Sequence, residues 1–588
     1  MSQSAIFAKV LQAEKLLADG DVAGALSVAQ RLLPKAPGDP GLNSLMAMTL
    51  LRKGSLLQAE FYAKRALQAE PRNVDLLLNY ATVQAAIKDQ AGALVTLEQA
   101  VTVDPASSKA RLGLANALMD AHDTPSAITH LRAALTHGPD AQVEISLAGA
   151  LLNLGYIEEA AAFSREAFAR HPAEPALAAG YPSALTYKYG VDPDELGRAH
   201  RAYGELVDTL RPAGVAITPR KASDPEKRLR VALVSPDFRQ HSVSFFLEPI
   251  FQRRDKTRIE LVAYSNMRSP DATTARLKAM TDTWVEAANL SDLKLAERMN
   301  ADGIDIAVDL AGHTLGNNLL AFALRPAPVQ VTYCGYPDTT GLREMDYRVV
   351  DSLTDPPTPE VDRRATEKLW RLDPCFLCYR PNPDAPLPRR DADFPGPVFG
   401  SFNASRKINA GLVRLWSRLL RETPRATLIL KSFDFVSKGA ADRIRGEFRA
   451  QGITDDRLTF LAATKTLAEH LALYSRMDVA LDAFPYHGTT TTCEALWMGV
   501  PVVTLAGNTH AGRVGVSLLT NVGVPELIAE TEDDYVRLAS ELAQDAVRLG
   551  GYRVSLRDKM GASALCDPEA FATRWWAALR EMWRRACV

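Results

Sequence analysis

The chain has 588 residues, 47% hydrophobic and 23% charged, with a formal net charge of −2. That length exceeds what one hydrophobic core supports, so several domains are expected. The near-neutral balance gives no general reason to expect a nucleic-acid or anionic-membrane partner, and six cysteines in so long a chain fit a reducing cytosol better than a disulfide framework.

The opening MSQSAIFAKVLQAEKLLADG lacks the uninterrupted apolar core of a signal peptide, and nowhere do about 18 apolar residues run together as a membrane span would need. The first 175 residues repeat. Prolines fall at Pro37, Pro71, Pro105, Pro139 and Pro172, spaced 34, 34, 34 and 33 apart. Twelve positions before each lie Ala25, Ala59, Ala93, Ala127 and Ala160, and five before the last four lie Ala66, Ala100, Ala134 and Ala167. Small residues at those offsets let two antiparallel helices approach closely, and the proline ends the second. This is the tetratricopeptide (TPR) period, and such units stack into a solenoid with a concave, protein-recognising face.

From about Ala173 the period fades through a stretch still helical in tone, and RPAGVAITPRKASDPEKR reads as a linker. Short β-branched runs then alternate with helical stretches: RVALVSPDF (230–238), IELVAYSN (259–266), IDIAVDLAG (304–312) and PVQVTYCGYP (328–337). A second series follows: VFGSFN (398–403), ATLILKS (426–432), RLTFLAA (457–463), DVALDAF (478–484) and PVVTLAG (501–507). Two doubly wound α/β halves in tandem leave a cleft, with ligands expected beyond the carboxyl ends of the strands. FATRWWAALREMWRRA (571–586) reads as an amphipathic helix bracing the C-terminal half. Cys375 and Cys378 form a CxxC with no second ligand pair and read as buried or incidental thiols; Asp391–Asp393, in a proline-rich loop, reads as solvated surface rather than a metal-binding pair.

LDAFPYHGTTTTCEALWMGVPVV is strand, loop, helix and strand. The helix start falls near Gly488–Thr490, where the first backbone N–H groups lack partners and the helix dipole favours an anion. Glycine allows close backbone approach, and Thr489, Thr490, Thr491 and Thr492 offer hydroxyls to phosphate oxygens, while Glu494 could accept from a ribose or sugar hydroxyl. The purely structural alternative is one capping threonine with the rest packed on the sheet. No glycine fingerprint of the dinucleotide or P-loop kind precedes a helix, which counts against NAD and ATP.

The succession SPDFRQHSVSFF, AGHTLGNN, FALRPAPVQVTYCGYPDTTGLREMDY, FGSFNASRKIN, LDAFPYHGTTTTCEALWMGVPVV and HAGRVGVSLLTNVGVPELI resembles the SPINDLY/O-GlcNAc transferase family over residues 230–585. HSVSFF, TDPP, CFLCY and FPYHGTTTTCE lie closer to the SPINDLY branch. The resemblance implies a GT-B fold of two Rossmann-like domains behind the TPR solenoid: repeats over 1–175, a helical linker over 176–228, an acceptor-side half over 229–385, a donor-side half over 386–570 and a C-terminal helix over 571–588. It implies an inverting, cytoplasmic protein O-glycosyltransferase that moves a sugar from a nucleotide sugar to Ser/Thr, without metal or other cofactor. Lys407 matches the lysine on the donor diphosphate, His241 the active-site histidine with Asp237 as alternative base or orienter, and His470 the nucleoside contact. Asn403, Gly488, Thr489, Thr490, Thr491, Thr492 and Glu494 are implied in donor binding; His313, at a strand end expected to face the cleft, is a candidate either for the acceptor site or for supporting it from behind. Animal O-GlcNAc transferases carry a histidine where this chain has Thr489 and a glutamine where it has Ala404, so UDP-GlcNAc and GDP-fucose both stay open as donors. Flagellin-modifying relatives add a CMP-nonulosonic acid donor and flagellin as acceptor, and the repeats could also support homo-oligomers. A scaffold that has lost catalysis is the rival from another class; a small-molecule or lipid-linked acceptor would leave the repeats without use.

Overall fold

The computed structural model describes residues 3–212, 214–215, 217–391, 396–436 and 438–587. The chain divides into two compact units, Met1–Leu151 and Leu152–Val588.

The first unit is built of helix pairs, among them Pro40–Lys53 with Leu56–Ala69, Val74–Ala86 with Gln90–Val103, and Ser108–Asp120 with Thr124–Leu135. Their starts are set by side chains: Asp39, Asn73, Asp89, Ser107 and Asp123 each accept the backbone N–H three residues on. The periodic alanines are the helix contacts, since Ala25, Ala59, Ala66, Ala93, Ala100, Ala127 and Ala134 are at most 2% exposed. Pro71 and Pro105 fall two residues beyond the ends of their helices, where a missing N–H costs nothing.

In the second unit, helices Ile157–Arg170, Pro175–Leu185 and Pro193–Thr209 precede the sheets. The last two cover the stretch read as a helical linker, yet Ala178, Tyr203 and Val207 sit in the core with Val262, Tyr264 and Phe322. The approach is so close that a Cβ on Gly204 would lie 1.8 Å from the carbonyl oxygen of Gly341. Among the described residues of that stretch, those between Thr209 and the first strand form no helix or strand.

Among the described residues two parallel sheets form. The first holds β1 (Leu229–Ser235), β2 (Ile259–Ser265), β3 (Thr283–Glu286), β4 (Ile306–Asp309), β5 (Val329–Thr332), β6 (Tyr347–Val350) and β7 (Lys368–Arg371), in the order β3-β2-β1-β4-β5-β6-β7. The second holds β8 (Val398–Ser401), β9 (Thr427–Lys431), β10 (Leu458–Leu461), β11 (Val479–Leu481), β12 (Val502–Leu505) and β13 (Ile528–Ala529), in the order β10-β9-β8-β11-β12-β13. On β2, Leu261 and Ala263 face one core while Val262 and Tyr264 face another, so both sides of the sheet are covered, as a parallel sheet requires. Four strands were not expected from the sequence: β3 and β7 are partly exposed edges, β13 has two residues, and β6 carries a buried arginine inside its apolar run.

The final helix, Pro568–Ala586, corrects another expectation. It braces the first half, not the C-terminal one: Trp583 Nε1 donates to Asp224 O at 2.8 Å, Arg580 donates to the carbonyls of Pro225 and Lys227, and Trp575 packs on Tyr333. Cys375 and Cys378 are buried thiols, pushed up to about 12 by burial. Asp391 accepts the Ser475 hydroxyl at 2.7 Å; Asp393 lies outside the described residues.

Candidate active site

In each sheet the strand order reverses beside the first strand of the half, between β1 and β4 and between β8 and β11. The loops leaving those four carboxyl ends splay to opposite sides and open a crevice. They are residues 236–243, 310–318, 402–409 and 482–489, and they carry PDFRQHSV, AGHTLGNN, FNASRKIN and FPYHGT from the quoted motifs. A cavity of about 290 Å³ lies between the halves, with His241 and Thr314 on one wall and Asn403, Lys407 and Thr489–Thr491 on the other.

The threonine block begins helix Thr490–Trp497, with Thr489 at the N-cap and making no side-chain capping bond. The free N–H groups of the first turn are therefore not satisfied by the chain's own hydroxyl. Asp482 pins the loop before it, taking the Gly488 N–H at 2.6 Å on one oxygen and the Thr504 hydroxyl at 2.8 Å on the other. A Cβ on Gly488 would meet Thr491 Oγ1 at 2.3 Å, so this turn admits only glycine without rearrangement. Helical rotation then separates the four threonines. Thr489, Thr490 and Thr491 line the cavity, whereas buried Thr492 donates to Gly488 O at 3.1 Å and faces inward. Thr491 donates to Asn403 Oδ1 at 3.3 Å, and the buried Thr490 hydroxyl has no partner. An anion at the helix start would supply one.

Lys407 ends a short 3-10 turn after β8, Ser405–Lys407. Its Nζ donates to His487 O at 2.7 Å and sits 4.2 Å from the centroid of the Tyr486 ring. Burial lowers its pKa to about 7; Asp482 opposes the shift and Arg406 adds to it. An ammonium so poorly compensated attracts an anionic ligand, which would restore its charge. Arg406 beside it donates to the Tyr187 hydroxyl at 3.0 Å, and Tyr187 stacks on Tyr486 with centroids 4.8 Å apart.

Glu494 and His470 are placed together behind this wall. His470 Nε2 donates to Glu494 Oε2 at 2.9 Å, and Tyr474 donates to the same oxygen at 3.3 Å. That leaves the buried Nδ1 of His470 as an acceptor without a protein partner, beside the Phe402 ring at 5.7 Å. Glu494 is 4% exposed and does not line the cavity.

On the facing wall His241 lies in the loop after β1, half-buried, with Nδ1 accepting from the Val243 N–H at 3.4 Å. Burial lowers its pKa below the ordinary 6.5, partly opposed by Asp237. Asp237 lies 3.7 Å from Nδ1, behind the imidazole rather than on the cavity wall. His313 does not face the cleft. Its Nε2 donates to Thr340 O at 2.9 Å, its ring packs between Tyr203 and Tyr336, and burial lowers it to about 3, so it supports Tyr336 as a neutral group. Tyr187, Tyr336, Arg348, Arg406, Tyr486 and His510 line the cavity without having been singled out. Arg406 and Tyr486 stand inside quoted motifs, in SRK and FPYH, and were within reach; Tyr187, from the supposed linker, carries no local signal.

The family description Glycosyl transferase family 41 matches residues 206–378 and 391–575. The chain belongs to that family. A tetratricopeptide repeat description matches residues 88–148. Among relatives, the probable UDP-N-acetylglucosamine–peptide N-acetylglucosaminyltransferase SPINDLY of Arabidopsis thaliana is 41% identical over 406 residues, 68% of this chain and 44% of that protein. The UDP-N-acetylglucosamine–peptide N-acetylglucosaminyltransferase of Caenorhabditis elegans is 25% identical over 477 residues, 61% of this chain and 41% of that one. This family 41 chain thus spans less than half the length of those two relatives. A solved Thermobaculum terrenum O-GlcNAc transferase mutant aligns with a TM-score of 0.73 at 34% identity, over 93% of this chain and 98% of that one. Among the described residues no cluster of His, Cys, Asp and Glu is placed to hold a metal ion, and no helix is long and apolar enough to cross a membrane.

Proposed function

We propose that the chain transfers a sugar from a nucleotide-sugar donor to a serine or threonine of a protein held in part by its helical repeats, by direct displacement with inversion. The observation that carries this reading is the uncapped helix start at Thr489–Thr491 with the Lys407 ammonium on the same wall, across the cavity from His241. The acceptor oxygen forms its bond to the anomeric carbon as the bond to the diphosphate breaks. Negative charge then grows on the leaving oxygens, where Lys407 and the helix N–H groups act most strongly in the transition state. His241, kept neutral by burial, takes the acceptor hydroxyl proton on Nε2 in the tautomer whose proton sits on Nδ1, where Asp237, 3.7 Å away, replaces the Val243 N–H as the neighbour that orients the ring. Thr490 and Thr491 hold the diphosphate, with Asn403 fixing Thr491 and Lys407 from behind. The His470–Glu494 pair lies where the nucleoside would extend.

The names of the relatives make UDP-N-acetylglucosamine the first donor to test, with GDP-fucose the second. A thermal-shift panel of UDP, GDP and CMP sugars discriminates, because a ligand of the folded state raises its stability by mass action. The nucleotide that stabilises the protein names the donor class; stabilisation by none of them would refute the donor site.

A further inference from the structure

The cavity has a wall that this mechanism does not use. Arg348, on β6, and His510, in the loop after β12, line both it and a neighbouring cavity of about 360 Å³. Arg348 is 5% exposed. Its Nη1 lies 3.6 Å from Asp355 Oδ1, while its Nη2 is sealed from solvent and has no hydrogen-bond partner. The other oxygen of Asp355 lies 2.5 Å from His510 Nδ1. Asp355 therefore grips one edge of the guanidinium and is itself held by an imidazole from the opposite half.

A guanidinium offers its N–H donors in a rigid plane and does not lose its charge, so a dry, unpaired Nη2 is a strong unmet demand for an acceptor. The diphosphate grip occupies the donor-half wall with Lys407 and the threonines. The group attached to that diphosphate is what can meet the remaining wall.

We propose that Arg348 is a sugar-recognition residue, its guanidinium donating to a hydroxyl of the transferred sugar while Asp355 and His510 hold its plane. This rests on the donor-site reading above. The surroundings favour an uncharged sugar: Asp355 already lies 3.6 Å from the guanidinium, so a sugar carboxylate would bring a second anion to one cation. Because Arg348 and Asp355 come from one half and His510 from the other, the sugar is read only where the halves meet.

The test is calorimetric binding of UDP, UDP-N-acetylglucosamine, GDP and GDP-fucose to the full chain, as wild type, Arg348→Met and Asp355→Asn. For the pair that binds, Arg348→Met is expected to weaken the nucleotide sugar by about tenfold or more while the free diphosphate stays within about twofold. Asp355→Asn, which keeps the guanidinium but loosens it, should give the same split with a smaller loss. Equal losses on both ligands, or no loss on the sugar, would overturn the proposal. If Arg348→Met does not fold, Arg348→Lys reads the same split, since it keeps the buried charge and removes the fork. Tighter binding of UDP-glucuronate than of UDP-glucose would overturn the preference for an uncharged sugar. A wild-type protein that binds none of the four first ligands and no CMP sugar overturns the donor site itself, an outcome distinct from a diphosphate that binds with no role for Arg348.

Discussion

Replacing Lys407 by Met should cut turnover sharply and at the same time stabilise the empty protein. The ammonium is drawn down from its ordinary 10.5 to about 7 by burial, so folding at neutral pH holds a charge in a place that resists it. Taken at face value that difference corresponds to ~5 kcal/mol against the folded state. Access of the side chain to the cavity discounts it, and Met forfeits both the hydrogen bond to His487 O and the Tyr486 ring contact, together ~1–2 kcal/mol. The net gain expected is ~1–3 kcal/mol. Its sign with pH follows from the lowered pKa. The wild-type penalty is fully present below about pH 7 and fades as pH rises toward the unfolded lysine's own range, because the unfolded chain then holds more protons than the folded one. Scanning calorimetry of variant and wild type at pH 6.5 and 9.5 would show the variant's advantage shrinking at the higher pH. Turnover should fall by roughly 10²–10³ through loss of leaving-group stabilisation. A variant less stable than wild type at pH 6.5, or an advantage independent of pH, would refute the account of Lys407 as a strained cation waiting for an anion.

Thr490→Val should weaken diphosphate binding by about tenfold, while Thr492→Val, which disturbs an internal bond to Gly488 O, should lower stability and leave affinity nearly unchanged; titration calorimetry separates the two. His241→Ala should cut turnover by roughly 10²–10⁴ with diphosphate affinity intact. Since burial lowers the His241 pKa, the acid limb of the wild-type rate profile should fall below pH 6.5, and a limb above that value would exclude it as the base. Removing residues 1–140, inside the first unit, should spare donor binding and abolish modification of a protein acceptor; unchanged acceptor use would remove recognition from the repeats.

How far the sequence could be read depended on how locally each feature is encoded. The repeat was legible because Ala59, Ala93 and Ala127 each do the same job against a neighbouring helix, so a period records it. The central strands were legible as β-branched runs, but the readings ran on past their carboxyl ends, through Pro236–Phe238, Phe402–Asn403 and Asp482–Phe484. Those overruns are the site loops, whose apolar residues pack like strand residues while their backbone turns away. The threonine block announced an anion, and only the helix could say that Thr492 points inward. Family resemblance, not pattern, drew attention to Lys407 and His241. Arg348 and Tyr187 were illegible because their meaning lies in partners 7 and 299 residues away, Asp355 and Tyr486; His510 opens the quoted HAGRVG stretch, yet its partner, Asp355, lies 155 residues away.

The closing helix has a consequence for how the protein is made. Pro568–Ala586 completes the wall of the first half, with Trp575 on Tyr333 and Trp583 tied to Asp224. While the ribosome is still translating the donor half, the first half stands without its last helix, and the apolar faces of Trp575, Leu579 and Trp583 that will seal it have not yet left the exit tunnel. The first half is therefore complete only once residues 568–586 have been made, and a nascent chain stalled before residue 568 should remain a client of chaperones.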